Sequence, residues 1–198
     1  MLRAHLKDYN VILSSASPRR QHFFAELDVD FTIDVRPVNE VYSPDLKREE
    51  ITNYLAVLKA TPFKDLKPKD ILVTSDTIVW FNDKPLEKAA NKQEAIAMIS
   101  ALSGQFHEVI TSVCFTTKNS QKVVVDVAKV WFDTLTQEQI LFYIDTYAPY
   151  DKAGSYGIQE WLGYVAIPKI EGSFFTVMGL PTHLVYKELY ALGIQKKM

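Results

Sequence analysis

The sequence has a single cysteine, no long apolar run and almost no excess charge, and each absence excludes a class of protein. Cys114 is its one thiol among 198 residues, so a disulfide framework is excluded and a reducing cytosol is the expected compartment. No apolar stretch approaches the roughly 20 residues that cross a bilayer, and the first ten residues lack the apolar centre of a signal peptide. The net charge of -2 supplies no basic field for nucleic acid or membranes. We expect a cytoplasmic protein that binds neither.

Common catalytic and metal-binding motifs are also missing. The four histidines are scattered without the spacing of zinc ligands. Neither a GxSxG turn, an HExxH helix nor a GxxxxGKS/T loop occurs. The hydrophobic fraction of 47% is nevertheless that of a globular protein, and the length allows one sizeable α/β domain or two small lobes.

Strand-like and helix-like segments alternate in the first half of the chain, and the middle is hairpin-like. This order predicts an α/β fold with a mixed, twisted central sheet flanked by helices, in one domain over residues 1–198 with two lobes and a deep cleft. The predicted strands cover residues 11–13, 31–35, 71–80, 108–117, 122–132, 163–170 and a stretch after the turn at 171–172. The predicted helices begin near Pro18, Glu49, Asn91, Thr136 and Pro181.

The segment SSASPRR, from Ser14 to Arg20, is the most informative part of the sequence. Ser17 is a favourable N-cap, and Pro18 suits the first position of a helix. Arg19 and Arg20 then oppose the helix dipole, which favours acidic residues in this turn. Since a helix N-terminus also attracts phosphate, the two arginines indicate a bound anion.

One carboxylate lies inside an otherwise apolar strand. Asp76, between Ser75 and Thr77, would be costly to bury without a partner. It could cap the strand end, act as a general base or bind a metal ion. Glu40 lies in a polar loop and becomes a metal candidate only if it approaches Asp76.

Several lysines and one amide are candidate substrate contacts. Lys59 is placed at the end of a predicted helix, and Lys84 in a turn; each position also suits a solvated lysine. Lys152 shares a loop with Gln159 and two glycines. Glycines permit close approach of a ligand, and the amide of Gln159 could read the edge of a base.

Together these segments resemble the Maf family of nucleoside triphosphate pyrophosphatases. The matching pieces follow the family order over nearly the whole chain: SSASPRR, the acidic loop at Glu40, Leu58-Lys59-Ala60, Ser75-Asp76-Thr77, Lys84-Pro85, LSGQFHEVITSV from Leu102, DKAGSYGIQ from Asp151, and Gly179-Leu180-Pro181. Each piece alone is weak, but eight in order are highly specific. Glu160 departs from the family pattern, in which glycine commonly follows Ile-Gln.

The resemblance implies a fold of the Maf and inosine triphosphatase type, a homodimer, and hydrolysis between the α- and β-phosphates with a divalent cation, Mg²⁺ or Mn²⁺. Its GIQ loop resembles the branch that acts on dTTP and UTP, with modified pyrimidine nucleotides as a further possibility. The family's catalytic acceptor matches Asp76, and Glu40 matches a further pocket position. We expect the divalent cation to be held partly by Glu40 or Asp76, and the sequence leaves open whether Asp76 is the general base or a metal ligand. The positions for nucleotide choice match Arg19, Thr77 and Gln159. Other pocket positions match Ser15, Ser17, Arg20, Lys59, Lys84 and Lys152.

Two other functions have to be weighed against this one. A non-catalytic nucleotide-binding regulator of cell division would use SSASPRR as an anion anchor only, but would gain nothing from a carboxylate such as Asp76. A nucleic-acid binder is disfavoured by the negative net charge and by the lack of an interleaved basic and aromatic stripe.

Overall fold

The structure is a computed structural model that describes residues 1–194, so the last four residues of the predicted domain lie outside it. Its helices are α1 (Leu2–Leu6), α2 (Pro18–Glu26), α3 (Glu49–Leu58), α4 (Lys92–Leu102), α5 (Gln137–Tyr147), α6 (Trp161–Ala166), α7 (Phe174–Val177) and α8 (Thr182–Ile194). Its strands are β1 (Asn10–Leu13), β2 (Phe31–Ile33), β3 (Asp70–Phe81), β4 (Lys84–Leu86), β5 (Phe106–Thr116), β6 (Gln121–Trp131) and β7 (Lys169–Glu171). A search of the described helices finds none with the length and apolar content of a membrane span.

The strands form one mixed sheet. Their order is β2-β1-β3-β5-β6-β7, and β4 pairs with β3 outside this path. Strand β1 runs parallel to both β2 and β3, with Val11 opposite Phe31 and Ile71. Strands β4 and β7 are antiparallel to β3 and β6, respectively. The predicted mixed sheet with helices is therefore confirmed.

The chain divides into two compact units. Unit 1 contains Met1–Asp76, Thr111–Asp126 and residues 179–194, and unit 2 contains Thr77–Ile110 and Val127–Met178. Strands β3, β5 and β6 each contribute residues to both units.

Each unit has buried apolar residues of its own. In unit 1, the β1 side chains of residues 11–13 are buried, and α1 packs against α8. In unit 2, α4 packs against α5, around fully buried side chains such as Ile99, Leu102 and Tyr143. Removing this apolar surface from water is the main stabilising term for each core.

Three predicted helix starts are confirmed by their caps. The Ser17 hydroxyl accepts from the backbone N–H of Arg20, and Pro18 is the first residue of α2. Asn91 caps α4 in the same way, accepting from the N–H of Glu94 at 3.0 Å. Thr136 and Gln139 form a complete capping box at α5. Capping by local side chains therefore accounts for the position of these helix starts.

The strand predicted over residues 163–170 is confirmed only at residues 169–170, and the strand predicted after residue 172 is wrong. Helix α6 and the short β7 occupy the first segment, and helix α7 lies in the second. The β-branched and aromatic residues there favour strands locally. Leu162 and Ala166, four residues apart, instead face the core of unit 2, so burial selects the helix. Helix α1 was not predicted.

Candidate functional site

In unit 1, two carboxylates share one lysine; we call Glu40, Lys59 and Asp76 the carboxylate–lysine group. Asp76 lies on β3 and is 7% exposed. Lys59 follows the last residue of α3, and its ammonium lies 2.6 Å from Oδ1 of Asp76. Glu40, in the loop after β2, places Oε2 2.9 Å from the same ammonium. The loop, the helix end and the strand thus bring together three of the residues predicted from the sequence.

Burial and charge act in opposite directions on Asp76. Burial raises the pKa of its carboxyl group above the usual value, whereas Lys59 and Arg20 lower it. Oδ1 accepts the Lys59 hydrogen bond, and Oδ2 is the second oxygen of this carboxylate. A buried carboxylate of this kind is suited to orient a water molecule and accept its proton.

Arg20 supports the strand that carries Asp76. Its Nε donates to the carbonyl of Gly179 at 2.7 Å, and its Nη1 donates to the carbonyl of Ser75 at 3.0 Å. Burial lowers the pKa of the guanidinium, and Asp76 opposes this effect. Since two of its donors hold backbone carbonyls, Arg20 fixes the residue next to Asp76 as well as adding positive charge.

The other residues of SSASPRR form the turn into α2. Oγ of Ser15 accepts from the N–H of Ser17 at 3.3 Å, and the side chain of Ser15 is buried. Ser17 caps the helix, as described above. Arg19 is partly buried and lies close enough to Arg20 to lower its pKa. The phosphate-binding role of these residues remains a prediction.

The donor set of the carboxylate–lysine group fits a small divalent cation. Glu40 and Asp76 both contact the Lys59 ammonium, so a metal ion would bind their other oxygens or displace that ammonium. Among residues 1–194 no cluster of three or more His, Cys, Asp or Glu could hold a metal by itself. Mg²⁺ is commonly bound by one or two carboxylates together with phosphate oxygens of a substrate.

In unit 2, Lys152 lies at the centre of a second set of polar contacts, which we call the Lys152 network: Tyr143, Asp151, Lys152, Gly157 and Glu160. The Lys152 ammonium lies 2.7 Å from Oδ1 of Asp151 and 3.0 Å from Oε1 of Glu160. The Tyr143 hydroxyl donates to Oε2 of Glu160 and accepts from the N–H of Gly157 at 2.8 Å. Burial, followed by Glu160, raises the pKa of Tyr143, so its phenol keeps its proton.

The remaining predicted residues of unit 2 lie in different settings. Gln159 is partly buried beside Glu160, and Thr77 is partly buried on β3. Lys84 is exposed at the start of β4, opposite Phe81. Their roles toward a nucleotide remain predictions.

The sequence assigns no functional role to three members of the Lys152 network, Tyr143, Asp151 and Glu160. Tyr143 lies in α5 between the buried Ile140 and Ile144, so its spacing indicates only a core residue. Glu160 was noted as a departure from the family pattern, but not as a partner of Lys152. The sequence offers only one signal for this pairing: an acidic residue stands eight positions after a loop lysine. Such a spacing is too common to predict an ion pair.

The family model and the two similar sequences reported below match nearly the whole chain. The sequence model of a family described as "Maf-like protein" matches residues 10–192. A protein of Flavobacterium johnsoniae named "dTTP/UTP pyrophosphatase" is 55% identical, covering 97% of this chain and 100% of the relative. A protein of Christiangramia forsetii with the same name is 56% identical, covering 96% and 97%. A solved HAM1 protein from Coxiella burnetii is 12% identical with a TM-score of 0.49, covering 93% of this chain and 98% of that chain.

Proposed function

Since the chain belongs to the Maf family, we propose that it hydrolyses dTTP and UTP between the α- and β-phosphates, yielding a nucleoside monophosphate and pyrophosphate. The observation that carries this proposal is the name dTTP/UTP pyrophosphatase on relatives that are 55% and 56% identical over nearly the whole chain. The carboxylate–lysine group provides side chains that suit this chemistry.

Asp76 is the proposed general base. Its Oδ2 orients a water molecule for attack on the α-phosphorus and accepts the proton as the new P–O bond forms. Lys59 holds the carboxylate through Oδ1, and Arg20 fixes the neighbouring backbone at Ser75. The bond between the α-phosphorus and the bridging oxygen then breaks, and pyrophosphate leaves with that oxygen.

Positive side chains would offset the charge of the triphosphate. Arg19, Lys84 and Lys152 are the proposed phosphate contacts, together with the hydroxyls of Ser15 and Ser17. Guanidinium groups can bind two phosphate oxygens at once, whereas lysines act as compact charges. Because Asp76 is taken up by its role as general base, Mg²⁺ or Mn²⁺ would be held by Glu40 together with phosphate oxygens of the substrate and would neutralise part of the charge on the leaving pyrophosphate. Thr77 and Gln159 are proposed to select the base.

The proposed function is tested by product analysis with a panel of nucleotides. Purified protein is incubated with Mg²⁺ and each of dTTP, UTP, dCTP, dATP, dGTP and GTP, and pyrophosphate and inorganic phosphate are measured separately. We expect pyrophosphate, with dTTP and UTP as the best substrates. Release of inorganic phosphate, or no product, would contradict the proposal; tight nucleotide binding without product would instead support a non-catalytic regulator.

The Asp76→Asn variant tests the general base. We expect its kcat to fall by roughly 10²-fold or more, because an amide cannot accept the proton, while the far-ultraviolet circular dichroism is unchanged. Asp145→Asn is the matched control, since Asp145 is an exposed carboxylate that also pairs with a lysine, Lys92. Near-wild-type kcat in Asp76→Asn would remove Asp76 from the reaction.

We also propose a cytoplasmic homodimer that does not bind nucleic acid, on the family resemblance and the net charge of -2. Size-exclusion chromatography with light scattering measures the mass of the protein in solution and so tests the homodimer. A mass of twice 22.6 kDa is expected, and a mass near 22.6 kDa at micromolar concentration would contradict it.

A further inference from the structure

Glu160 connects the predicted phosphate-binding lysine to the backbone of the predicted base-binding loop. Its Oε1 lies 3.0 Å from the Lys152 ammonium, and its Oε2 accepts from the Tyr143 hydroxyl. The same hydroxyl accepts the N–H of Gly157 at 2.8 Å. A single carboxylate therefore binds Lys152 directly and reaches the loop backbone through one phenol.

These contacts are protected from water. The side chains of Lys152 and Glu160 are 10% and 16% exposed, and Tyr143 is 0% exposed. Hydrogen bonds between charged and neutral partners are stronger in such surroundings than in water. Asp151, the other carboxylate on Lys152, has a side chain that is 64% exposed, so solvent weakens its contribution.

Gly157 brings Glu160 and Gln159 together. A Cβ atom at this position would lie 2.7 Å from the carboxyl carbon of Glu160 and 2.9 Å from Nε2 of Gln159. The ends of both side chains therefore lie beside the Gly157 backbone, and a larger residue there would require them to shift. The positions of the Glu160 carboxyl group and the Gln159 amide thus both depend on the backbone conformation of this loop.

We propose that Glu160 is a positioning residue: together with Tyr143 it fixes Lys152 for the triphosphate and the backbone that carries Gln159 for the base. The inference rests on the proposed function, because Lys152 and Gln159 are the proposed substrate contacts. Glu160 acts through these residues and does not itself contact the nucleotide.

Charge and positioning predict opposite changes in KM when Glu160 is neutralised, so the direction of the change tests the proposal. Glu160 adds a negative charge beside a lysine that would bind a polyanion. If charge were its only influence, Glu160→Gln would strengthen substrate binding and lower KM. If positioning dominates, losing the ion pair releases the Lys152 side chain, and KM rises.

The experiment compares kcat and KM for dTTP in Glu160→Gln and Tyr143→Phe. We expect KM to rise about tenfold in each variant while kcat changes less than about threefold, the pattern of lost binding that is common to the ground and transition states. The double variant should be hardly worse than either single variant, because both changes disrupt one network. Glu160→Asp, which keeps the charge on a shorter side chain, should recover part of the wild-type KM.

Two exposed positions in unit 2 provide matched controls. Glu171→Gln removes the carboxylate of a surface lysine pair with Lys169, and Tyr147→Phe alters the tyrosine that stacks on Tyr143 in the same helix. Both should retain the wild-type KM. An unchanged or lowered KM in Glu160→Gln, with active wild-type protein, would overturn the positioning role alone. A wild-type protein that releases no pyrophosphate would overturn the proposed function instead.

Discussion

His107 is a buried polar side chain in unit 2 that the proposed chemistry does not use. Its Nε2 lies 2.7 Å from the hydroxyl of Tyr156, while its Nδ1 has no hydrogen-bond partner among the described residues. The rings of Phe132 and Tyr156 contact it edge-on. Burial lowers the pKa of His107 to about 3, so the folded protein keeps this imidazole neutral.

The neutral imidazole makes the stability of the protein depend on pH. In the unfolded chain a histidine has a pKa of about 6.5, so below that pH the unfolded state binds a proton that the folded state does not. The free energy of unfolding should therefore decrease as the pH falls from about 6.5 toward 3, with a slope of up to about 1.4 kcal/mol per pH unit.

His107→Gln is expected to remove this slope. Its free energy of unfolding, measured in urea between pH 7.5 and pH 4.5, should fall less steeply than that of the wild type below pH 6. His22→Gln controls for loss of a histidine, since His22 is exposed. Identical slopes for the wild type and His107→Gln would contradict the buried neutral state.

Single residues also show how far the sequence could predict the candidate site. Asp76 was singled out because a carboxylate interrupts an apolar strand, and the structure places it against Lys59 as a buried residue needs. The pairing of Lys59 with Glu40 could not be predicted, because it depends on how a loop and a helix end approach β3. The same holds for Glu160, whose partners lie on α5 and in the loop after it.

At the scale of helices and strands, prediction succeeded where the cause is local. The starts of α2, α4 and α5 follow from caps formed by residues three positions apart. Prediction failed for α6, where packing decides and no cap is formed by a side chain. Gly163 lies so close to Ile158 that a Cβ atom would be 1.7 Å from its carbonyl oxygen. Burial of Leu162 and this close approach outweigh the strand preference of the segment.

Gly163→Ala tests the importance of this close approach. The added methyl group cannot fit beside the Ile158 carbonyl without a shift of the backbone, so we expect a loss of at least about 3 kcal/mol in the free energy of unfolding. Urea denaturation measures it. Val165→Ala, at a 47% exposed position of the same helix, should cost less than about 1 kcal/mol. Equal, small losses in both variants would show that α6 tolerates a side chain at position 163.

At the scale of the whole molecule, three strands are continuous between the two units, and we expect this continuity to decide how the protein unfolds. Strands β3, β5 and β6 pass from one unit into the other, and each could lose its pairing in one unit only at the cost of unpaired backbone groups. The three tryptophans, Trp80, Trp131 and Trp161, all belong to unit 2. Their fluorescence therefore reports on unit 2, whereas circular dichroism reports on the whole chain.

We expect the two signals to give the same urea midpoint, within about 0.2 M, because the shared strands couple the units into one transition of the kind usual for chains of this size. Both signals are recorded on one sample across the same titration. A fluorescence midpoint that differs clearly from the circular dichroism midpoint would show that the units unfold separately.

The buried cysteine has a practical consequence for such measurements. Cys114 is 0% exposed within unit 1, and burial raises the pKa of its thiol, so a maleimide reagent should not modify the native protein. Alkylation of Cys114 then requires that unit 1 opens locally. The rate of alkylation under native conditions therefore measures how often unit 1 opens. The thiol and the tryptophans thus give the natural sequence an intrinsic reporter in each half, without any engineered label.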